Sequence, residues 1–294
     1  MKSSRKSQRK LNKQNIKQAI RIELREHKSS FIIFCVLQIL VFITFIRHAM
    51  RGDFESLFFC ALTYILLYVP SWLQVRLRIE IPPLLEICIL CFIFAAEILG
   101  EVNAFYVRIP GWDTMLHTIN GFLAAAVGLS TVVLLNDNEN LTFELSPLFL
   151  ALVAFCFSMT IGVLWEFFEF GMDRYFGLDM QKDSIVNVIN SVKLDPTLTN
   201  SVVSIKNITD VSVNGQSLGL GGYLDIGIID TMKDLWVNFI GAVVFSVIGF
   251  FHAKGKGNKV KKLMPSRKNH KTDYLRQIRE NNKSTTTSST GGLK

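Results

Sequence analysis

At 294 residues the chain has the length of one or two soluble domains, but 49% of it is hydrophobic and its mean hydropathy is +0.32. With apolar runs near the ~20 residues that cross a bilayer, this excludes an ordinary globular protein. The net charge of +8 is laid out unevenly: residues 1–30 hold ten Lys/Arg and two acids, and residues 254–294 hold twelve and two, so the tails carry +18 and the middle −10. Neither tail interleaves aromatic residues with its charges as a single-strand groove would, so nucleic acid is not an expected partner.

Residues 1–30 form a basic tail in which Leu11, Ile16, Ile20 and Leu24 fall near one helical face. That pattern suits either an amphipathic helix on anionic membrane lipids or a solvated arm. Six spans are predicted, at 31–47, 54–73, 81–100, 114–135, 147–170 and 233–253. Inside lipid each must satisfy its own backbone, so all are helices. The first follows a highly charged segment and ends at Ile46, Arg47 and His48 instead of small residues, so it is expected to be retained rather than cleaved. Cys88 and Cys91 share the spacing of a thiol motif, but in an apolar helix they read as packing. Basic flanks stay inside, which puts both termini in the cytoplasm of a multi-pass cell-membrane protein. The 136–146 connection, with three acids and no Lys or Arg, dissents, but acids count for little in that bias.

The expected fold is thus all-α: a polytopic helical bundle with transmembrane helices 1–5 over 31–170, an extracytoplasmic loop over 171–232 and a sixth helix over 233–253. The loop should carry a little β-structure. Val202–Ile205 and Val211–Val213 are β-branched, and Asn214 with Gly215 is a hairpin turn pair. Such a loop either covers the polar groups described next or simply fills space. The basic tail from 254 onward ends in a Ser/Thr run at 284–290 and reads as disordered.

Ionisable groups sit at one end of three spans with helical spacing: Asp113 and His117; Glu166, Glu169 and Asp173; Asp230, Asp234 and Asn238. Each at membrane depth costs roughly 2.5–3.5 kcal/mol on insertion scales, so a shared polar interior explains them better than accident. With alternating span directions, the start of the fourth, the end of the fifth and the start of the sixth all lie outside. Glu97 and Glu101 add a pair at the outer end of span three, and Arg108 follows as a counter-charge. Asp113 and Asp230 also read as helix caps, His117 as a packing residue, and Trp112, Trp165 and Trp236 as interfacial anchors. Caps do not explain Glu166, Glu169 or Asp234, and Glu169 and Asp173 oppose the helix dipole.

Two chemistries fit. His117, Glu166, Glu169 and Asp234 are a donor set that suits a divalent metal such as Zn, Mn or Mg, with Glu166, Asp234 and Asp113 as catalytic groups and Glu101, Arg108, Asp173, Asp230 and Asn238 supporting them. The reaction would be hydrolysis or transfer on a lipid or cell-envelope precursor head group. Alternatively, Glu97 and Glu166 would lie on the path of a proton- or ion-coupled transporter, or the network would only order a non-catalytic envelope scaffold. Gly121 with Ala125, and Gly241 with Ala242, allow the helices to approach closely. Nothing in the sequence fixes the oligomeric state.

The same residues carry a resemblance. Gly100, Glu101, the stretch from Phe105 through Pro110, Trp112 and Asp113 to His117, then Trp165, Glu166 and Glu169 with Gln181, and Asp230 through Asp234 and Asn238 to Gly241 resemble a bacterial membrane protein family of unknown function typified by YjdF. More distantly the chain is similar to VanZ-like proteins, which share an Asp/His start to one span and an acidic end to another. The resemblance covers about residues 80–250 and implies a role in the cell envelope, with no reaction attached. Lys233 departs from the third motif.

Overall fold

The computed structural model describes residues 2–136, 145–255 and 263–290. The acidic part of the 136–146 connection and residues 256–262 of the C-terminal tail lie outside the described residues. The N-terminal tail is a helix, α1 (Lys2–Glu26), followed by α2 (Lys28–Ala49), α3 (Phe54–Leu66) and α4 (Val69–Leu77). Pro70, which has no amide hydrogen to donate, falls at the start of α4, and α3 and α4 together make one broken span. Asp53 begins it by accepting the Ser56 amide at 3.1 Å. Hydrogen bonds from Ser56 and His48 hold the Asp53 carboxyl down to about 2.

A short strand, β1 (Ile79–Glu80), leads to α5 (Pro83–Phe94), which widens into a π-helix over Ala95–Val102. Beyond a one-turn helix, α6 (Phe105–Arg108), come α7 (Trp112–Asn136) and α8 (Pro147–Phe176). Ser146 caps α8 by accepting the Phe149 amide at 3.2 Å, and Gly177, at φ +67°, ends it. Among the described residues six helical segments are long and apolar enough to cross a membrane, the last being α9 (Ile228–Ala253).

Two packed groups make the bundle. In one, Phe34, Leu37 and Val41 of α2 meet Cys60 of α3 and Leu90 and Ile98 of the third span. In the other, α7, α8 and α9 approach backbone to backbone. A Cβ on Gly121 would collide with the Asn238 carbonyl, and one on Gly241 with the Thr118 carbonyl. Both glycines are the close-approach points that the small-residue spacing predicted. Below them Ala125, Ala126, Leu129, Ala154 and Phe245 close the core. Ile81, Leu85 and Leu123 join the two groups.

Between α8 and α9 lie six short strands: β2 (Ile185–Val186), β3 (Val188–Ser191), β4 (Val203–Lys206), β5 (Ser212–Val213), β6 (Gln216–Ser217) and β7 (Tyr223–Leu224). They pair antiparallel as β2 with β7, β3 with β4 and β5 with β6. The expected hairpin is there. Asn214 (φ +51°) and Gly215 (φ +80°) turn β5 into β6.

Two expectations need correction. The fifth span runs on to Phe176 and the sixth begins at Ile228, so the connection is 177–227 rather than 171–232. The extra turns carry acids at no cost to lipid, because Asp173 and Asp230 bond loop amides. The C-terminal tail, expected to be disordered, instead forms β8 (Ser266–Arg267), paired with β1, and α10 (Tyr274–Thr290) against α1. Composition hid a small apolar face: Leu275 and Ile278 pack on Ala19 and Val75. Both tails therefore meet at one end of the bundle, beside the turn between the second and third spans.

Candidate functional site

The polar residues of α7, α8 and α9 meet at the opposite end. The His117 ring stands between three helices: Nε2 lies 3.4 Å from Asp113 Oδ1 and 3.8 Å from Asp234 Oδ2, and Nδ1 lies 3.9 Å from Glu166 Oε1. His117, Glu166, Glu169 and Asp234 are all buried, Asp234 being 1% exposed. Helical periodicity produces this meeting. Asp113 and His117 are one turn apart on α7, and Glu166 and Glu169 share the inward face of α8.

The donor atoms fall into two groups that share the imidazole, Asp113–His117–Asp234 and His117–Glu166–Glu169, and within each group they lie within 4.8 Å of one another. The expected four-residue set therefore does not close on one point. Asp234 sits with Asp113 on the Nε2 side, Glu166 faces Nδ1, and Glu169 groups with Glu166 and the imidazole.

A further layer of hydrogen bonds fixes the glutamates. Trp165 Nε1 donates to Glu169 Oε1 at 2.7 Å, so this indole, expected to be an anchor, also orients a carboxylate. Gln181 Nε2 donates to Thr231 Oγ1 at 2.6 Å and to Glu166 Oε2 at 3.3 Å. By contrast, Asp113 Oδ2 and Asp234 Oδ1 are buried with no hydrogen-bond partner among the described residues. Around these four carboxylates no lysine or arginine comes within 4.0 Å among the described residues. Lys233 approaches Asp230 instead, at 3.9 Å, and Lys182 approaches Asp179.

The remaining expected residues divide. Asp173 accepts the amides of Met180 and Gln181 at 2.6 and 2.8 Å, and Asp230 accepts that of Lys182 at 2.9 Å. These two acids pin the start of the loop over the ends of α8 and α9, and the dipole-opposed Asp173 finds its compensation in backbone N–H groups. Asp225 does the same for α9, accepting the Ser184 amide at 2.6 Å and the Ile229 amide at 2.7 Å, and these bonds to backbone hold its carboxyl below the ordinary range despite the opposing cost of its burial.

Asn238 lies deeper. It takes a bond from Asn120 at 3.3 Å and packs where a Cβ on Gly162 would meet its amide at 2.6 Å, so it locks the three helices together. Glu97 is half-buried in the π-helix, whereas Glu101 and Arg108 are exposed. Arg108 is in no ion pair among the described residues and does not serve as the counter-charge.

Sequence reasoning passed over Tyr106. Gly100 has no side chain, and the Tyr106 ring occupies that space. Burial pushes its hydroxyl up, and the carboxylates of Glu101, Asp113, Glu97 and Glu169 push the same way. The tyrosine thus links the third span to the cluster. The only signal was its neighbourhood, in the short segment between Glu101 and Asp113.

The sequence matches, over residues 31–255, the family described as predicted membrane protein, DUF2238. The chain belongs to that family. It bears out the resemblance to the uncharacterised YjdF-like membrane proteins, while the VanZ-like similarity remains one of motifs. Searches of curated proteins and of solved structures return no match. This DUF2238 chain is an integral membrane protein with six apolar helices, and its polar cluster lies inside the matched region.

Proposed function

We propose that this DUF2238 protein is a metal-assisted membrane enzyme whose divalent ion is held by His117 Nδ1, Glu166 and Glu169. The observation that carries the reading is the pairing of a buried carboxylate cluster with the lack of any lysine or arginine against it among the described residues. Buried carboxylates need a cation or protons, and an imidazole supplies at most one charge. On the other ring nitrogen, Asp113 and Asp234 orient the imidazole, as carboxylates behind metal-bound histidines do. Trp165 and Gln181 hold the two glutamates in the same way.

Three protein donors leave coordination positions open, as catalytic metal sites require. A metal there would lower the pKa of bound water and polarise a phosphoryl or carbonyl oxygen. Lys182 and Lys233, half-exposed at the mouth, favour an anionic head group, so the substrate class is a phosphate-bearing lipid or a lipid-linked envelope precursor. The basic tails support an orientation with this end of the bundle at the extracytoplasmic face.

The cluster's position at one end of the helices favours an enzyme over a coupled transporter, whose sites usually lie near the midplane. Metal analysis of detergent-purified protein is the test. About one divalent ion per chain, lost in Glu166→Gln/Glu169→Gln, is expected. Metal-free protein with proton-driven uptake in liposomes would replace this reading by transport. A double variant of full function and lower thermal stability would leave only a scaffold.

A further inference from the structure

The tail end carries a second feature, independent of the polar cluster. Where α1 crosses α2 and α4, a groove of about 1000 Å³ opens between the tail helix and the first two spans. Its floor is apolar and aromatic, with Phe34, Tyr68 and Trp72 prominent, and its rim is Lys13, Lys17, Arg21 and Arg25. These four cations follow one another at i+4 along α1, so they form a slowly turning stripe on one side of the helix.

No acid lines the groove, and among the described residues none of the four is in an ion pair with a carboxylate. The reason lies on the far side of α1. Its two acids are both engaged there, Glu23 with Lys268 and Glu26 with the Tyr274 hydroxyl. Arg25 lies 6.0 Å from the Phe31 ring centroid, so its guanidinium is held at the boundary of charge and apolar floor. The tryptophan and tyrosine have the composition of a membrane interface.

We propose that this groove binds an anionic glycerophospholipid, with the phosphate against Lys17, Arg21 and Arg25 and an acyl chain along Phe34, Tyr68 and Trp72. Charge complementarity selects the occupant. A zwitterionic lipid brings a cation that the rim repels, and a soluble phosphate ester leaves the aromatic floor uncovered. Basic pockets at helix ends are a recurrent solution for holding anionic head groups. The tail helix would then be seated on the bundle by lipid on one side and by α10 on the other.

Native mass spectrometry of the full detergent-solubilised chain tests the site, with added phosphatidylglycerol and phosphatidylcholine as probes. The wild type should retain one phosphatidylglycerol at least tenfold more tightly than phosphatidylcholine. Lys17→Gln/Arg21→Gln/Arg25→Gln should abolish that preference, and the single exposed change Lys17→Gln should reduce it with an unchanged melting temperature. Trp72→Ala should weaken both lipids and keep the preference. Equal retention of the two lipids, an undiminished preference in Lys17→Gln, or displacement by free glycerol phosphate at matched concentration would each overturn the proposal.

Discussion

The two ends of the bundle both bury carboxylates, and they settle the resulting charge in opposite ways. At the tail end Glu23 is buried against Lys268, and Gln74 Nε2 donates to buried Glu86 at 3.2 Å while its Oε1 accepts the Ile81 amide at 2.8 Å. Both of these buried carboxylates have a partner from this chain. At the other end Asp113, Glu166, Glu169 and Asp234 share one imidazole, and two of their oxygens have no partner among the described residues. A self-compensated network orders a structure, whereas an under-compensated one requires something from outside, and that difference separates an architectural cluster from a candidate site.

The largest effect should come from the under-compensated end. His117→Ala leaves four carboxylates facing one another around a void, with an expected loss of about 3–5 kcal/mol of stability. Thermal melting, read beside hydrogen exchange of α10, checks that the damage stays at the site end. An unchanged melting temperature would break the contrast.

Lys268→Met tests the other end. It leaves Glu23 buried without its cation and should cost about 1.5–3 kcal/mol. The loss should appear as faster exchange in α10, and metal content should not change. Loss of metal in this variant would show that the two ends are coupled.

Gln181→Ala should cost about 1–2 kcal/mol, because it removes the link from the loop to Glu166 and Thr231. It should speed exchange over residues 178–186 and weaken metal binding. An effect on loop exchange alone would reduce Gln181 to a loop fastener.

The smallest expected effect is a pH slope at the tail end. Burial, against the pull of Lys268, raises Glu23 from 4.5 to about 7. The folded tail therefore holds this proton more tightly than the free chain does. Docking is strongest below about pH 4.5 and weakens as pH rises through about 7. Exchange rates in α10, corrected for intrinsic chemistry, should show this decline, and Glu23→Gln should flatten it. A slope of the opposite sign would mean that the ion pair outweighs the burial.

Much of this was legible in the residues. Apolar runs fixed the number of spans, the Asn214–Gly215 pair fixed a hairpin, and the acids of three spans, given alternating directions, had to gather at one end. The placement of Asp173 and Asp230 on loop amides was not legible, because backbone N–H groups leave no trace in a pattern of side chains. Nor was α10, where the Leu275 and Ile278 contacts are too few to stand out from a Lys- and Ser/Thr-rich tail.

Periodicity and polarity are local properties, so the sequence alone determined which faces of which helices would be polar and which glycines would let backbones meet. Only the tertiary structure decided how those faces share a single imidazole. It set Glu166 on Nδ1 and the aspartates on Nε2, and it left Arg108 exposed while bringing Trp165 to Glu169. Distances of 3–4 Å between separate helices depend on crossing angle and rotation, which the whole packed core fixes and no single segment encodes.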